Sequence, residues 1–140
     1  MAFSRRFAPV ACLLAATTIF TAAHADDTPL RIELNRAEAR DNACQLVFVA
    51  QNDSAEGLDQ LVLEMVLFDR AGGVAALTLL DFQDLPAGRM RVRSFDMPGL
   101  ECEGLGRVLV NATAACAPQG APGCDGFGLS SRIDEVEVLQ

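Results

Sequence analysis

Apolar and polar positions alternate along this chain in short blocks, separated by gaps rich in glycine, proline, Asn and Asp. Leu30, Ile32 and Leu34 share one face of a strand predicted over Leu30 to Asn35, and the polar run Arg36 to Asn42 reads as a connector or a helical turn. Ala43 to Asn52 is the clearest strand, with Cys44, Leu46, Phe48 and Ala50 on the core face and Gln45, Val47, Val49 and Gln51 on the other. Asn52 through Gly57 has turn chemistry. Gln60 to Phe68 turns Leu61, Leu63, Met65 and Leu67 inward, while Val62, Val66 and Phe68 leave its second face unusually apolar. A helix is the rival reading there, and β-branched residues between turn signals favour the strand.

The second half continues the pattern. Asp69 to Gly73 makes a tight hairpin loop into a partner strand, Val74 to Phe82, and Leu85-Pro86-Ala87-Gly88 is another turn. From Arg89 the alternation is strict: Arg89, Arg91 and Arg93 are expected outward, with Met90, Val92 and Ser94 inward, until Pro98-Gly99 ends the strand. Leu105 to Ala115 holds Val108 and Val110, Ala117 to Gly123 is a Gly/Pro/Ala-rich loop, and Gly128 to Leu139 supplies one strand or two short ones. Six to eight short strands without heptads, repeats or a linker predict an all-β, antiparallel β-sandwich in one domain.

The first 25 residues change the picture of compartment. Arg5 and Arg6 precede an apolar stretch from Phe7 to about Phe20, and Ala23-His24-Ala25 forms an A-x-A cleavage site before Asp26. The expectation is a signal peptide cleaved after Ala25, leaving a domain from Asp26 to Gln140 in the periplasm or secreted, with no membrane insertion once the signal is gone. Ser4-Arg5-Arg6-Phe7 is an incomplete twin-arginine pattern, so general secretion is preferred. Export also gives the cysteines a role. Cys44, Cys102, Cys116 and Cys124 remain, spaced by 58, 14 and 8 residues with no Cys-x-x-Cys. Four cysteines in a small exported domain imply two disulfides, with three pairings open. We favour Cys44–Cys102 and Cys116–Cys124, for which the chain-entropy model gives about 4 and about 2.5 kcal/mol.

Met65-Val66-Leu67-Phe68-Asp69, the glycines at Gly72 and Gly73, the turn Leu85-Pro86-Ala87-Gly88 and Phe95 together resemble the FxLyD-type immunoglobulin-like modules of exported bacterial proteins. Met65 stands where that motif has Phe and Phe68 where it has Tyr, and the later turn departs from the family's Leu-x-Pro-Gly order. The likeness spans Leu46 to Phe95. It implies an immunoglobulin-like sandwich and an envelope interaction module, and it brings no catalytic residues.

Composition narrows the chemistry. The chain has no Lys, Trp or Tyr, and its one histidine, His24, lies in the predicted signal. A mature chain without His or Lys has no base for Ser-His-Asp or Cys-His catalysis, no Schiff-base lysine and no histidine metal ligand. Nine arginines against nineteen acidic residues leave the mature chain at about −10, which argues against nucleic acid as a partner. Acid pairs such as Asp81 with Asp84, Glu101 with Glu103, and Asp134, Glu135 and Glu137 read as solvated surface rather than a hydrolytic pair. Asn52 to Gly57 is only a weak echo of a calcium loop, so no metal and no cofactor is expected.

Two surface features remain as partner-binding candidates. Arg89, Arg91 and Arg93 in a row on an acidic domain suit an anionic partner, or else pair with neighbouring acids. Val47, Val49, Val62 and Val66 suggest an outer apolar patch on the second and third strands, unless terminal segments cover it. The functional expectation is a non-catalytic module that binds an unidentified envelope protein. The alternatives are a small-ligand or ion-binding protein, and a hydrolase working with carboxylates alone.

Overall fold

The computed structural model describes residues 28–140, so the predicted signal peptide over residues 1–25 and its cleavage site lie outside the described residues. The first sheet contains β1 (Leu30–Arg40), β2 (Ala43–Asn52), β5 (Met90–Pro98) and β7 (Phe127–Ser131), in the order β5-β2-β1-β7. The second contains β3 (Gln60–Asp69), β4 (Val74–Asp81), β6 (Leu105–Ala117) and β8 (Glu137–Leu139), in the order β4-β3-β6-β8. The all-β sandwich is therefore observed, with four strands in each layer. Most neighbours are antiparallel, and the short last strands β7 and β8 pair in parallel with β1 and β6.

Why the layers meet follows from the alternation. Leu30, Ile32, Leu34, Leu46, Phe48 and Ala50 from the first sheet close on Leu61, Leu63, Met65, Leu67 and Val108 from the second, all at 0–1 % exposure. Each buried Leu, Ile, Val, Met or Phe among them contributes about 1.5–3 kcal/mol by leaving water. Phe48, Phe82 and Phe95 stack edge to face at one side of this core. Both disulfides pair as favoured: Cys44–Cys102 ties β2 to the 3-10 turn Cys102–Gly104, and Cys116–Cys124 ties β6 to the short helix α1 (Pro122–Asp125).

The β3–β4 hairpin forms as expected. Gly73 N–H donates to Asp69 Oδ1 at 2.8 Å, and Gly72 takes a φ of 87° that glycine tolerates. Two readings need correction. The run Arg36 to Asn42 is neither connector nor helical turn: β1 continues to Arg40. A bulge between Leu34 and Arg36 shifts the register by one, so Ala37 opposes Leu46 and Ala39 opposes Cys44 on the inner side. Two alanines after a phase change leave almost no apolar signal.

The second correction concerns β5. Its faces are reversed: Met90, Val92 and Ser94 are exposed, whereas Arg91 and Arg93 lie on the core side, with Phe95 and Met97 following in the same phase. Arg93 opposes Phe48 and Arg91 opposes Ala50, both core positions of β2. Arg89 lies ahead of the strand, exposed, its carbonyl accepting a hydrogen bond from Asn52 N–H.

Candidate interaction surface

Of the predicted site residues, Arg91 and Arg93 find their partners within the chain. Arg93 Nε donates to the Phe82 carbonyl at 2.7 Å, and its Nη2 to the Asp84 carbonyl and to Asp84 Oδ1 at 3.1 and 3.2 Å. Arg91 Nη2 lies 3.6 Å from Asp84 Oδ2. The two guanidinium groups thus clamp the crossover of residues 82–89 onto β5. The aliphatic stem of Arg93 extends over the phenylalanine side of the core while its head reaches the crossover carbonyls. Asn52 holds the crossover from the other side: its Nδ2 donates to the Leu85 and Glu56 carbonyls, and its Oδ1 accepts from Ser54 N–H and Oγ. A row of three free arginines on one face does not exist.

The four valines do lie on outer faces, but not together. Val47 and Val49 belong to β2 in one sheet, Val62 and Val66 to β3 in the other. The outer faces of two packed sheets look in opposite directions, so one patch is impossible. Residues 53–59 carry the chain from layer to layer, a crossing that alternation does not reveal.

The outer face of the second sheet carries a more extended feature. Leu77 opposes Val66, Val66 opposes Leu109, and Leu109 opposes Leu139, so one apolar row crosses all four strands. Val74 and Phe68 oppose each other on one side of the row, and Leu79 faces Glu64 on the other. Leu77, Leu79 and Val74 are 61 %, 58 % and 64 % exposed, whereas Val66 is covered by its neighbours to 8 %. The charges bordering it are already engaged: Arg107 Nε lies 3.3 Å from Glu137 Oε2, and Glu64 Oε1 accepts from Asn111 Nδ2 at 2.5 Å. The sequence had offered a signal here, since Leu77 and Leu79 sit in a strand whose two phases are both apolar.

On the first sheet the outer face is polar at its centre. Arg31, Glu33, Gln51, Ser130 and Arg132 line a shallow, open depression bordered by Val49 and Met90. Arg31 pairs with Asp53 at 2.6 Å and Arg132 with Glu33 at 3.1 Å. The Asn35 amide, 2.8 Å away, and then Arg132 hold the Glu33 carboxyl below its ordinary pKa by hydrogen bonding its charged form.

The acidic groups stand apart. Asp81 accepts from Gln83 N–H, Asp84 serves the arginine clamp, Glu135 pairs with Arg70, and Glu101, Glu103 and Asp134 are exposed. Among the described residues no group of three or more His, Cys, Asp or Glu gathers as a metal site, and no helix is long and apolar enough to cross a membrane. No protein-family profile matches the chain, and neither a curated protein nor a solved structure matches it.

Proposed function

We propose that this chain is an exported, non-catalytic interaction module that binds another envelope protein through the outer face of its second sheet. The observation that carries the reading is the row Leu77, Val66, Leu109 and Leu139, an apolar band crossing the outer face of all four strands of the second sheet. Apolar surface of this kind, exposed at Val74, Leu77 and Leu79 and again at Leu139, marks a partner site. Two disulfides fit an oxidising compartment, and the predicted signal peptide would place the chain in the periplasm or outside the cell. The immunoglobulin-like reading is supported by two packed four-stranded layers and by the Asp69-capped glycine hairpin that ends β3. Ligand binding in the depression of the first sheet has less support, because both of its arginines already hold carboxylates.

Affinity capture from an envelope extract tests the proposal, with Leu109→Glu as the disabling variant and Arg89→Gln as the control. One specific partner retained by the parent and the control, and lost with Leu109→Glu, is the expected result. Equal retention by all three overturns the role of this face.

A further inference from the structure

Among the described residues β4 is a free edge: it is hydrogen-bonded to β3 on one side only, and no backbone bond outside that ladder reaches its residues 74–81. From Val74 to Leu80 it has neither a charge nor a proline. An edge strand of that composition is a template for another strand. The other edges differ. β5 carries Arg91, Arg93 and Asp96, while β7 and β8 pack against each other.

We propose that β4 pairs antiparallel with β4 of a second copy of this chain, about a two-fold axis at Thr78. In that register Leu77 faces Leu79 of the copy at two symmetric positions, Leu80 faces Ala76, and Asp81 faces Ala75. Directly opposed residues of antiparallel strands point to the same side, so the exposed leucines cover one another. Within the ladder no like charges are opposed; Asp96 lines the cleft beside Ala75 to Thr78. Two four-stranded sheets become one of eight strands, and the interface is isologous. In a chain whose mature net charge is about −10, this is the open edge along which two copies meet without opposed carboxylates. The remaining repulsion acts between distant surface charges and is screened over about 8 Å at physiological ionic strength. Salt therefore strengthens this dimer, the reverse of its effect on docking with a basic partner. The dimer shares Leu77 with the proposed partner face, but the two readings fail separately, since that face is tested through Leu109 in an extract and the dimer through the purified chain alone.

Sedimentation velocity of the oxidised, exported protein, across concentration and at low and high salt, tests it. The expected result is a monomer–dimer equilibrium that tightens with salt and is weakened about tenfold or more by Leu77→Lys. Leu139→Lys, on the opposite edge of the same face, is expected to leave it unchanged. Mixing Leu77→Lys with Leu79→Glu restores association, because each introduced charge meets the other across the axis. Circular-dichroism melting shows that each variant is folded. A monomer under all conditions, a dimer indifferent to Leu77→Lys, equal weakening by Leu139→Lys, or no recovery on mixing overturns the proposal.

Discussion

Among the described residues, β4 and β5 are the two free edges on one flank of the sandwich, and they are protected to very different degrees. β5 turns Arg91 and Arg93 toward the gap between the layers, and both meet Asp84 from the crossover that follows β4. Charged groups aimed inward at an edge make a further strand costly, since its side chains would have to displace them. The same flank is tied down covalently by Cys44–Cys102. β4 has neither inward charges nor a disulfide, and its ladder is irregular only where Val74, not Ala75, opposes Phe68; its outward positions are Leu77 and Leu79, its inward ones Ala76, Thr78 and Leu80. Two arginines thus guard one edge, while the other is left apolar and open.

The largest expected effect comes from removing the covalent tie. Cys44→Ala with Cys102→Ala releases a 58-residue separation and should cost about 4 kcal/mol on the chain-entropy model, read as a lower denaturation midpoint in urea. A change below about 1 kcal/mol would mean that the β5 flank holds itself without the bond.

Next in size is the arginine clamp. Arg93→Gln leaves the Phe82 and Asp84 carbonyls short of a charged donor and should cost about 2 kcal/mol, whereas the exposed Arg89→Gln should stay within about 0.5 kcal/mol. Equal behaviour of the two in thermal melts would erase the distinction between the edges.

On the other edge, Leu79→Lys should change folding stability by less than about 0.5 kcal/mol, because its side chain is already in water. A large loss in the same melts would show that β4 depends on that leucine for its own packing.

The smallest effect lies away from both edges, at Glu33. Its folded pKa is lowered, so its contribution is complete above the ordinary glutamate value of about 4.3 and is lost as the pH falls through the lower folded value. Glu33→Gln should therefore slightly flatten the acid limb of the stability profile below about pH 4 and leave its slope near neutrality unchanged. An unchanged acid limb would show that the Asn35 and Arg132 contacts do not hold that carboxylate in solution.

The reversed faces of β5 show how far alternation carries. Alternation states that Arg91 and Val92 lie on opposite faces, but not which face is inside. Polarity pointed the arginines outward, yet Phe95 and Met97 share their phase and fix that phase inward at the buried end of the strand. At the mouth of the sandwich a guanidinium on a long stem stays on the inner face and still finds carbonyls and a carboxylate. β1 failed differently, because the bulge at Asn35 moved the inner phase onto two alanines. The core of β2, the capped hairpin after β3 and the cysteine pairing were legible, since each rests on local spacing or on few alternatives.

By itself the sequence determined the strand class, the inward phase of β2 and β3, the turn at Asp69 to Gly73 and the need for two disulfides. These depend on neighbours within a few residues or on a count. Only the tertiary structure decided that β2 and β3 lie in different layers, that Arg91 and Arg93 bind Asp84, and that Leu77, Val66, Leu109 and Leu139 align. Such facts depend on which strands become neighbours and in what register, and that is set by how the two apolar faces pack across the core.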